Sequence, residues 1–367
     1  MQRSPDQGGL TPRTTQARML LQTPNDTQLG TTLQAMLDDV QQRFSAELLS
    51  DTDCVNTLVE HVERYRGKML RPTLVLVSAM AAEGRDDLGE MREPVLTVAA
   101  VCEMVHMATL VHDDVLDDAQ VRRRGATINR LRGNETAVML GDYLISHAYH
   151  LCSSLGRPDI SRAVAAATNT VCEGELLQLS NRHNLDLDER VYFEIIRRKT
   201  AALCGLCCEL PVRLRHPGAE ANGDQQLAGA LFSYGEKLGI AFQIVDDILD
   251  LSADEQTIGK SVARDLAKGK LTLPVIRHLQ QADPAEREVV AGLLSRAAQE
   301  GIGEDAAQQV AQSVSTRVVA SGAMDYARRW ARDLVDQATQ QIVSSFTPSP
   351  ARDLMQAMAN AVIDRRF

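Results

Sequence analysis

The sequence predicts an all-α protein folded as a single helical bundle, and three observations carry that expectation. From Thr31 onward, apolar residues recur three and four positions apart, so that Leu33, Met36, Leu37, Val40, Phe44 and Leu48 share one helical face. Alternating apolar–polar runs bounded by turn pairs, the mark of strands, are essentially absent. The segment EPVLTVAAVCEMVHMATLVHDDVLDD is apolar on nearly every face before its acidic end, which puts it inside a bundle rather than on its surface.

Taken in order, residues 1–30 form an expected disordered tail, since RSPDQGGLTP is full of helix breakers and lacks an amphipathic stripe. Arg3, Arg13 and Arg18 with few acids keep an organellar transit peptide as the alternative. Residues 31–367 form the one domain. Pro72 opens a helix that Gly84 closes. The long apolar helix follows from Glu93 and Pro94. Further helices are expected around 137–154, 160–179, 187–209, 223–251 and 271–281, then several to the C-terminus. No stretch approaches the roughly 18 apolar residues of a membrane span.

Hydrophobic residues make up 44% of the chain, a globular composition, while the net charge of −10 and 4% aromatics argue against a nucleic-acid partner. The seven cysteines are odd in number and follow no secretory signal, so free thiols in a reducing cytoplasm are expected. Cys204 and Cys207 sit in an apolar helical run without a second ligand pair, and read as small core residues.

Two acidic clusters break the apolar pattern. Asp113 and Asp117 are one helical turn apart on one face, and Asp114 and Asp118 make a second pair rotated by about 100°. Asp246, Asp247 and Asp250 repeat the same D-D-x-x-D grammar in another apolar helix. Solvated helix ends scatter Lys and Glu among their acids; MATLVHDD and GIAFQIVDD do not. A divalent cation relieves such crowding, and oxygen-only ligands point to Mg²⁺. A magnesium so held shares its shell with phosphate, which calls for cations elsewhere. Lys68 and Arg71 in RGKMLRP, Arg123 and Arg124 after the first cluster, Lys199 and Thr200 in RRKTA, and Lys260 and Lys270 after the second are the candidates.

Together these motifs resemble the trans-prenyltransferases, the head-to-tail isoprenyl diphosphate synthases. VHDDVLDDAQVRRRG and FQIVDDILD look like that family's two aspartate-rich motifs, GKMLRP its isopentenyl diphosphate motif, RKTA its Lys-Thr pair and KGKLTLP its flexible-loop lysine. The likeness runs from about Thr31 to the C-terminus in the family's motif order; Arg66 stands where the family usually has a glycine. It implies a bundle of the isoprenoid synthase type around a central cavity, and a homodimer or, in some long-chain synthases, a heteromer. It implies that Asp113, Asp114, Asp117, Asp246, Asp247 and Asp250 hold three Mg²⁺ around an allylic diphosphate. Arg123, Lys199, Gln243 and Lys260 contact that diphosphate and Lys270 closes over it, while Lys68, Arg71, His106 and Arg124 hold isopentenyl diphosphate. Read without the resemblance, His106 is better explained as a core histidine.

The implied reaction suits the residues. Concentrated positive charge stabilises the departing diphosphate, and MATLV and LGIAF wall a carbocation from water. The nucleophile is a double bond, so no Ser or Cys is needed. Product length follows from the helix below Asp113. Thr109 is one turn down and Val105 near the next. The family's short-chain members carry Phe or Tyr at the fourth or fifth position before the first aspartate, where this chain has Thr109 and Ala108. An open tunnel implies about six to ten isoprene units, as on quinones, with Met139 or Leu140 as alternative floors. A shorter farnesyl or geranylgeranyl product is the alternative, as is a regulatory subunit of a heteromeric synthase. Cytoplasmic residence includes the option of peripheral membrane association. A terpene cyclase fits DDILD with Lys260 and Lys270 less well. An HD-type phosphohydrolase needs a histidine motif that His61, His147 and His150 do not form in sequence.

Overall fold

The computed structural model describes residues 28–63, 67–122, 125–215, 222–252, 264–297 and 304–365. Helix α1 spans Gln28–Glu47, α2 Asp53–Glu63 and α3 Leu70–Glu83, and a 3₁₀ turn over Gly89–Met91 leads into α4, Arg92–Leu116. A short antiparallel ribbon, β1 Val121–Arg122 and β2 Gly125–Ala126, precedes α5, Ile128–Arg132. Then come α6 Asn134–Ser153, α7 Pro158–Ser180, α8 Glu189–Ile196, a π turn over Arg197–Ala201, and α9 Ala202–Arg215. The remainder is α10 Asn222–Ser252, α11 Arg264–Ala267, α12 Leu273–Gln281, α13 Pro284–Ala297, α14 Glu304–Ala320, α15 Ala323–Ser345 and α16 Pro350–Ile363. All-α architecture is as the sequence predicts.

Two helices organise the rest. Helix α4 packs against α6, α3 and α1, and α10 packs against α15 and α9. Both are apolar nearly all round because both are surrounded. Val95, Leu96, Val98, Val101, Met104, Val105 and Met107 on α4 are buried, as are Leu231, Tyr234, Leu238, Ala241 and Ile244 on α10. Each large side chain so placed contributes up to ~1.5–3 kcal/mol. The Tyr234 hydroxyl, deep in the core, donates to the Met355 carbonyl at 2.7 Å, as a buried phenol must find an acceptor.

Three expectations are corrected. The stretch Gly89–Leu116 is long and apolar enough to cross a membrane by length and composition, contrary to the expectation that no stretch approaches this; 78% of its apolar window is buried inside the bundle, against protein. The long helix stops at Leu116, so Asp118 does not pair with Asp114 along it; Asp118 has φ 45°, a left-handed residue closing the helix. The segment expected as one helix at 187–209 is continuous to Arg215 but changes pitch at Arg197–Ala201.

That change of pitch has a packing cause. The π turn is pinched between α7 and α10 at two glycines. A Cβ on Gly174 would stand 2.5 Å from the Lys199 backbone nitrogen, and one on Gly239 would stand 2.6 Å from the Ala201 Cα. The backbones touch there, and RRKTA is held at a fixed height between them. Single π turns inside α-helices recur at functional sites for this reason: they re-aim side chains.

Candidate active site

The first acidic cluster sits at the C-terminal end of α4, where the helix dipole is negative and more negative charge is unwelcome. The local sequence meets this in two ways. Ala119 donates its amide to the Asp114 carbonyl at 2.8 Å, and Asn129 donates to the Asp114 and Ala119 carbonyls at 3.2 Å, so exposed helix-end acceptors are covered. Cations then converge on the side chains. Arg122 grips the buried Asp114 carboxylate through Nε at 2.9 and 3.0 Å and through Nη2 at 2.8 Å. Asp117 accepts from Arg182 at 2.9 Å and from Lys270 at 2.7 Å. Lys199 stands 3.6 Å from Asp113, in contact with Glu175 and donating to Gln178 at 2.9 Å.

The second cluster lies on α10 and is served differently. Asp246 pairs with Arg365 at 2.6 Å, whose guanidinium also lies 4.2 Å from the Phe242 ring centroid. Asp247 is buried and accepts from the Tyr192 hydroxyl at 2.5 Å and the Gln243 amide at 2.9 Å. Gln243 in turn accepts from Thr200 at 3.1 Å, which ties the π turn to α10. Asp250 accepts from the Asp265 amide at 3.3 Å.

Beside the second cluster is a cavity of about 90 Å³, bordered by Lys199, Thr200, Gln243, Asp247, Asp265 and Lys270. Leu187, Ile195 and Ile196 supply apolar wall. Lys199 and Lys270 reach both ways: each bonds or pairs with a first-cluster carboxylate and each lines the cavity that Asp247 lines.

The carboxyls answer to these surroundings. Burial raises Asp113, with Lys199 opposing and Glu175 reinforcing; burial also raises Asp114 against the pull of Arg122. Burial would raise Asp117 as well, but Lys270, with Lys268 and Lys199 adding, carries it below the ordinary carboxyl value. Burial raises Asp246 despite Arg365, and burial and the Asp265 charge push Asp247 well up although Tyr192 and Gln243 favour its ionised form. Burial would lower Lys199, yet Asp113 and Glu175 outweigh it and raise it. Buried carboxyls pushed upward gain when a cation arrives, and their all-oxygen donor set suits a hard divalent ion. Among the described residues, the buried Thr272 hydroxyl and the buried Arg71 Nε find no hydrogen-bond partner, an arrangement suited to an incoming anion or its water.

Other sequence candidates fall as follows. Lys68 is exposed but close enough for its charge to act on Asp246. His106 is half-buried on α4, its carbonyl accepting from Thr109 at 2.8 Å. Val105 and Ala108 are fully buried on α4 and Thr109 is half-buried. Met139 is 65% exposed, which removes it as a tunnel floor, while Leu140 is buried. Arg123, Arg124 and Lys260 lie outside the described residues. Sequence reading missed Tyr192, Arg182, Gln178, Glu175 and Arg365. Glu175 and Gln178 alone carried a signal, being three apart on a helix otherwise bare of reason for them; the rest are brought in by tertiary contacts.

Comparison with known proteins agrees with the geometry. A profile of the polyprenyl synthetase family matches residues 52–311. The octaprenyl diphosphate synthase of Escherichia coli strain K12 is 31% identical over 319 residues, covering 87% of this chain and 92% of that one. Component 2 of the heptaprenyl diphosphate synthase of Bacillus subtilis strain 168 is 35% identical over 245 residues, covering 66% of this chain and 67% of that one. The crystal structure of a polyprenyl synthase from Caulobacter crescentus, complexed with calcium and isoprenyl diphosphate, superposes with a TM-score of 0.81 at 28% identity, covering 99% of this chain and 100% of that one.

Proposed function

The chain belongs to the polyprenyl synthetase family and is a prenyltransferase, and from that premise we propose that it condenses isopentenyl diphosphate head-to-tail with an allylic diphosphate into a long-chain all-trans polyprenyl diphosphate. One observation supports this reading above the rest. Lys199 and Lys270 stand between two carboxylate clusters and border one cavity with Asp247, the arrangement that gripping a metal-bound diphosphate needs. The octaprenyl relative supports the long product.

In this reading Asp113, Asp117, Asp246 and Asp247 hold divalent ions, magnesium first among them. Bound there, such ions neutralise charge on the leaving diphosphate. Lys199 and Gln243 hold the allylic diphosphate oxygens, and Lys270 leaves Asp117 to close over them. Thr200 fixes the Gln243 amide, and Tyr192 fixes Asp247. The allylic C–O bond breaks with its electron pair going to the diphosphate. The isopentenyl double bond forms the new C–C bond, and a proton leaves to the diphosphate. Ile195, Ile196 and Leu187 keep water from the cation. Lys68, Arg71 and His106 hold the second diphosphate, Arg71 with an Nε that finds no partner among the described residues. Below Asp113, Ala108, Thr109 and Val105 leave room for the growing chain.

Incubating the purified protein with Mg²⁺, labelled isopentenyl diphosphate and primers of several lengths, then separating the products, tests the activity. Elongation to long products is expected; absence of any condensation overturns the reading. Ala108→Phe is expected to shorten the product, and an unchanged length discards the tunnel assignment. The Bacillus relative, named as one component of a synthase, favours a second reading in which a partner subunit is required. Activity that appears only on adding a partner distinguishes it from the homodimer that we otherwise propose.

A further inference from the structure

A second cluster of ligating side chains lies elsewhere, where α1 ends against α6. Glu47 closes α1, and His147 and His150 are one turn apart on α6. Both imidazoles turn the same nitrogen toward the same carboxylate oxygen: Nδ1 of His147 is 3.2 Å and Nδ1 of His150 2.6 Å from Glu47 Oε1. All three ligand atoms lie within 4.8 Å of one another. None of the three borders the diphosphate cavity.

We propose that Glu47, His147 and His150 form a site for a borderline divalent transition-metal ion of the Zn²⁺ class, cross-linking α1 to α6. The donor set is the first argument. Two imidazoles and one carboxylate are a set that such ions take, with water as fourth ligand, whereas magnesium prefers oxygen alone. The aspartate clusters and this cluster therefore select different metals.

Geometry is the second argument. Tetrahedral bonds of zinc length put neighbouring ligand atoms about 3.3 Å apart. His147 Nδ1 and Glu47 Oε1 are already at 3.2 Å. His150 must retreat by only a fraction of an ångström, and its side chain is 74% exposed and open to water, while Glu47 is 15% exposed.

The third argument is support behind the ligands. The His147 ring packs on Tyr143 with centroids 4.2 Å apart, and the Tyr143 hydroxyl donates to the Leu48 carbonyl at 3.2 Å, beside Glu47. The tyrosine thus fixes one ligand relative to the backbone that carries another, as the surroundings of metal-bound histidines do. On binding, each neutral ring carries its proton on Nε2 and offers the Nδ1 lone pair.

The test uses tag-free full-length protein with excess Mg²⁺ to fill the oxygen-ligand sites. The exposed thiols Cys54 and Cys172 are changed to serine to remove sulfur ligands. Titration with Co²⁺, read by visible ligand-field absorption, is expected to saturate at a single equivalent without a thiolate charge-transfer band, and Zn²⁺ is expected to displace it. His150→Ala, at an exposed position that leaves folding intact, and His147→Ala are each expected to weaken binding about tenfold or more. Glu47→Gln is expected to weaken it too. No saturable absorption, or a titration unchanged in the His147→Ala/His150→Ala double variant, overturns the proposal and leaves a plain hydrogen-bonded cluster. Circular dichroism of each variant reports that it is folded.

Discussion

The two aspartate clusters share one pattern of residues, and burial raises carboxyls in both, but the partners that surround them differ. Around Asp114 and Asp117 stand Arg122, Arg182 and Lys270, and Asp117 is held below its ordinary value. Around Asp247 stand a phenol and an amide, with Asp265 adding like charge, and that carboxyl is pushed well up. Identical spacing therefore says nothing about how far a cluster is neutralised by the protein itself. The first cluster is largely paired before any ligand arrives. The second has fewer charged partners: Arg365 pairs with Asp246, and the Lys68 charge acts on it as well.

The largest test of that contrast removes one acid from each cluster. Asp117→Asn and Asp247→Asn are both expected to lower kcat/KM by roughly a thousandfold, since each disturbs charge stabilisation of the leaving group. Without metal their melting temperatures are expected to move apart. Asp117→Asn strands Lys270 and Arg182 and lowers Tm; Asp247→Asn relieves a buried carboxyl and raises it. Equal shifts in one direction would erase the distinction drawn here. Next in size, Lys270→Ala is expected to cost about a hundredfold in kcat and to lift the Asp117 carboxyl toward its ordinary value, readable by NMR titration of that carboxyl.

Gly174→Ala acts on what both clusters share. Its Cβ meets the backbone at Lys199, and overpacking of this kind costs about 1–3 kcal/mol in denaturant unfolding. Activity falls with it as the π turn shifts. The pH dependence without metal comes next, at up to ~1.4 kcal/mol per pH unit per proton. Asp117, lowered in the fold, adds stability above its unfolded pKa that is lost as pH falls through the folded value. Asp113, Asp114, Asp246 and Asp247, raised in the fold, add stability below the unfolded pKa that is lost as pH rises through the folded values. Melting curves across the weakly acidic range should thus fall with rising pH, and added Mg²⁺ should flatten the decline. Tyr192→Phe is the smallest step. Loss of one hydrogen bond is expected to cost about 0.5–1.5 kcal/mol, to push Asp247 up further, and to raise the Mg²⁺ concentration needed for half-maximal rate.

Much of this was readable in advance, and the unread part has a physical pattern. Helices α4, α6, α7 and α10 follow from long apolar-rich runs set off by breakers, because such runs are a local property of sequence. The aspartate clusters stood out because apolar neighbours made them improbable as surface. Partners joined across the chain left no such mark: Arg182 reaches Asp117 from 65 positions away and Arg365 reaches Asp246 from 119. Tyr192 reads as one more core aromatic until its hydroxyl is seen to end on Asp247. The π turn was invisible because its cause lies in glycines on two other helices. The histidines on α6 looked unremarkable for the same reason, their third companion being 100 positions back.

The close meeting of main chains at Gly174 and Gly239 bears on how such a molecule can diverge. Where backbone rests on backbone, no bulk can be traded a methylene at a time, so the height of Lys199 above the acids is fixed to first order. In the reading proposed above, product length is set beneath Ala108 by side chains, which can be exchanged one by one. Descendants of this chain are free to change what they make from below, and are bound to keep how they make it above.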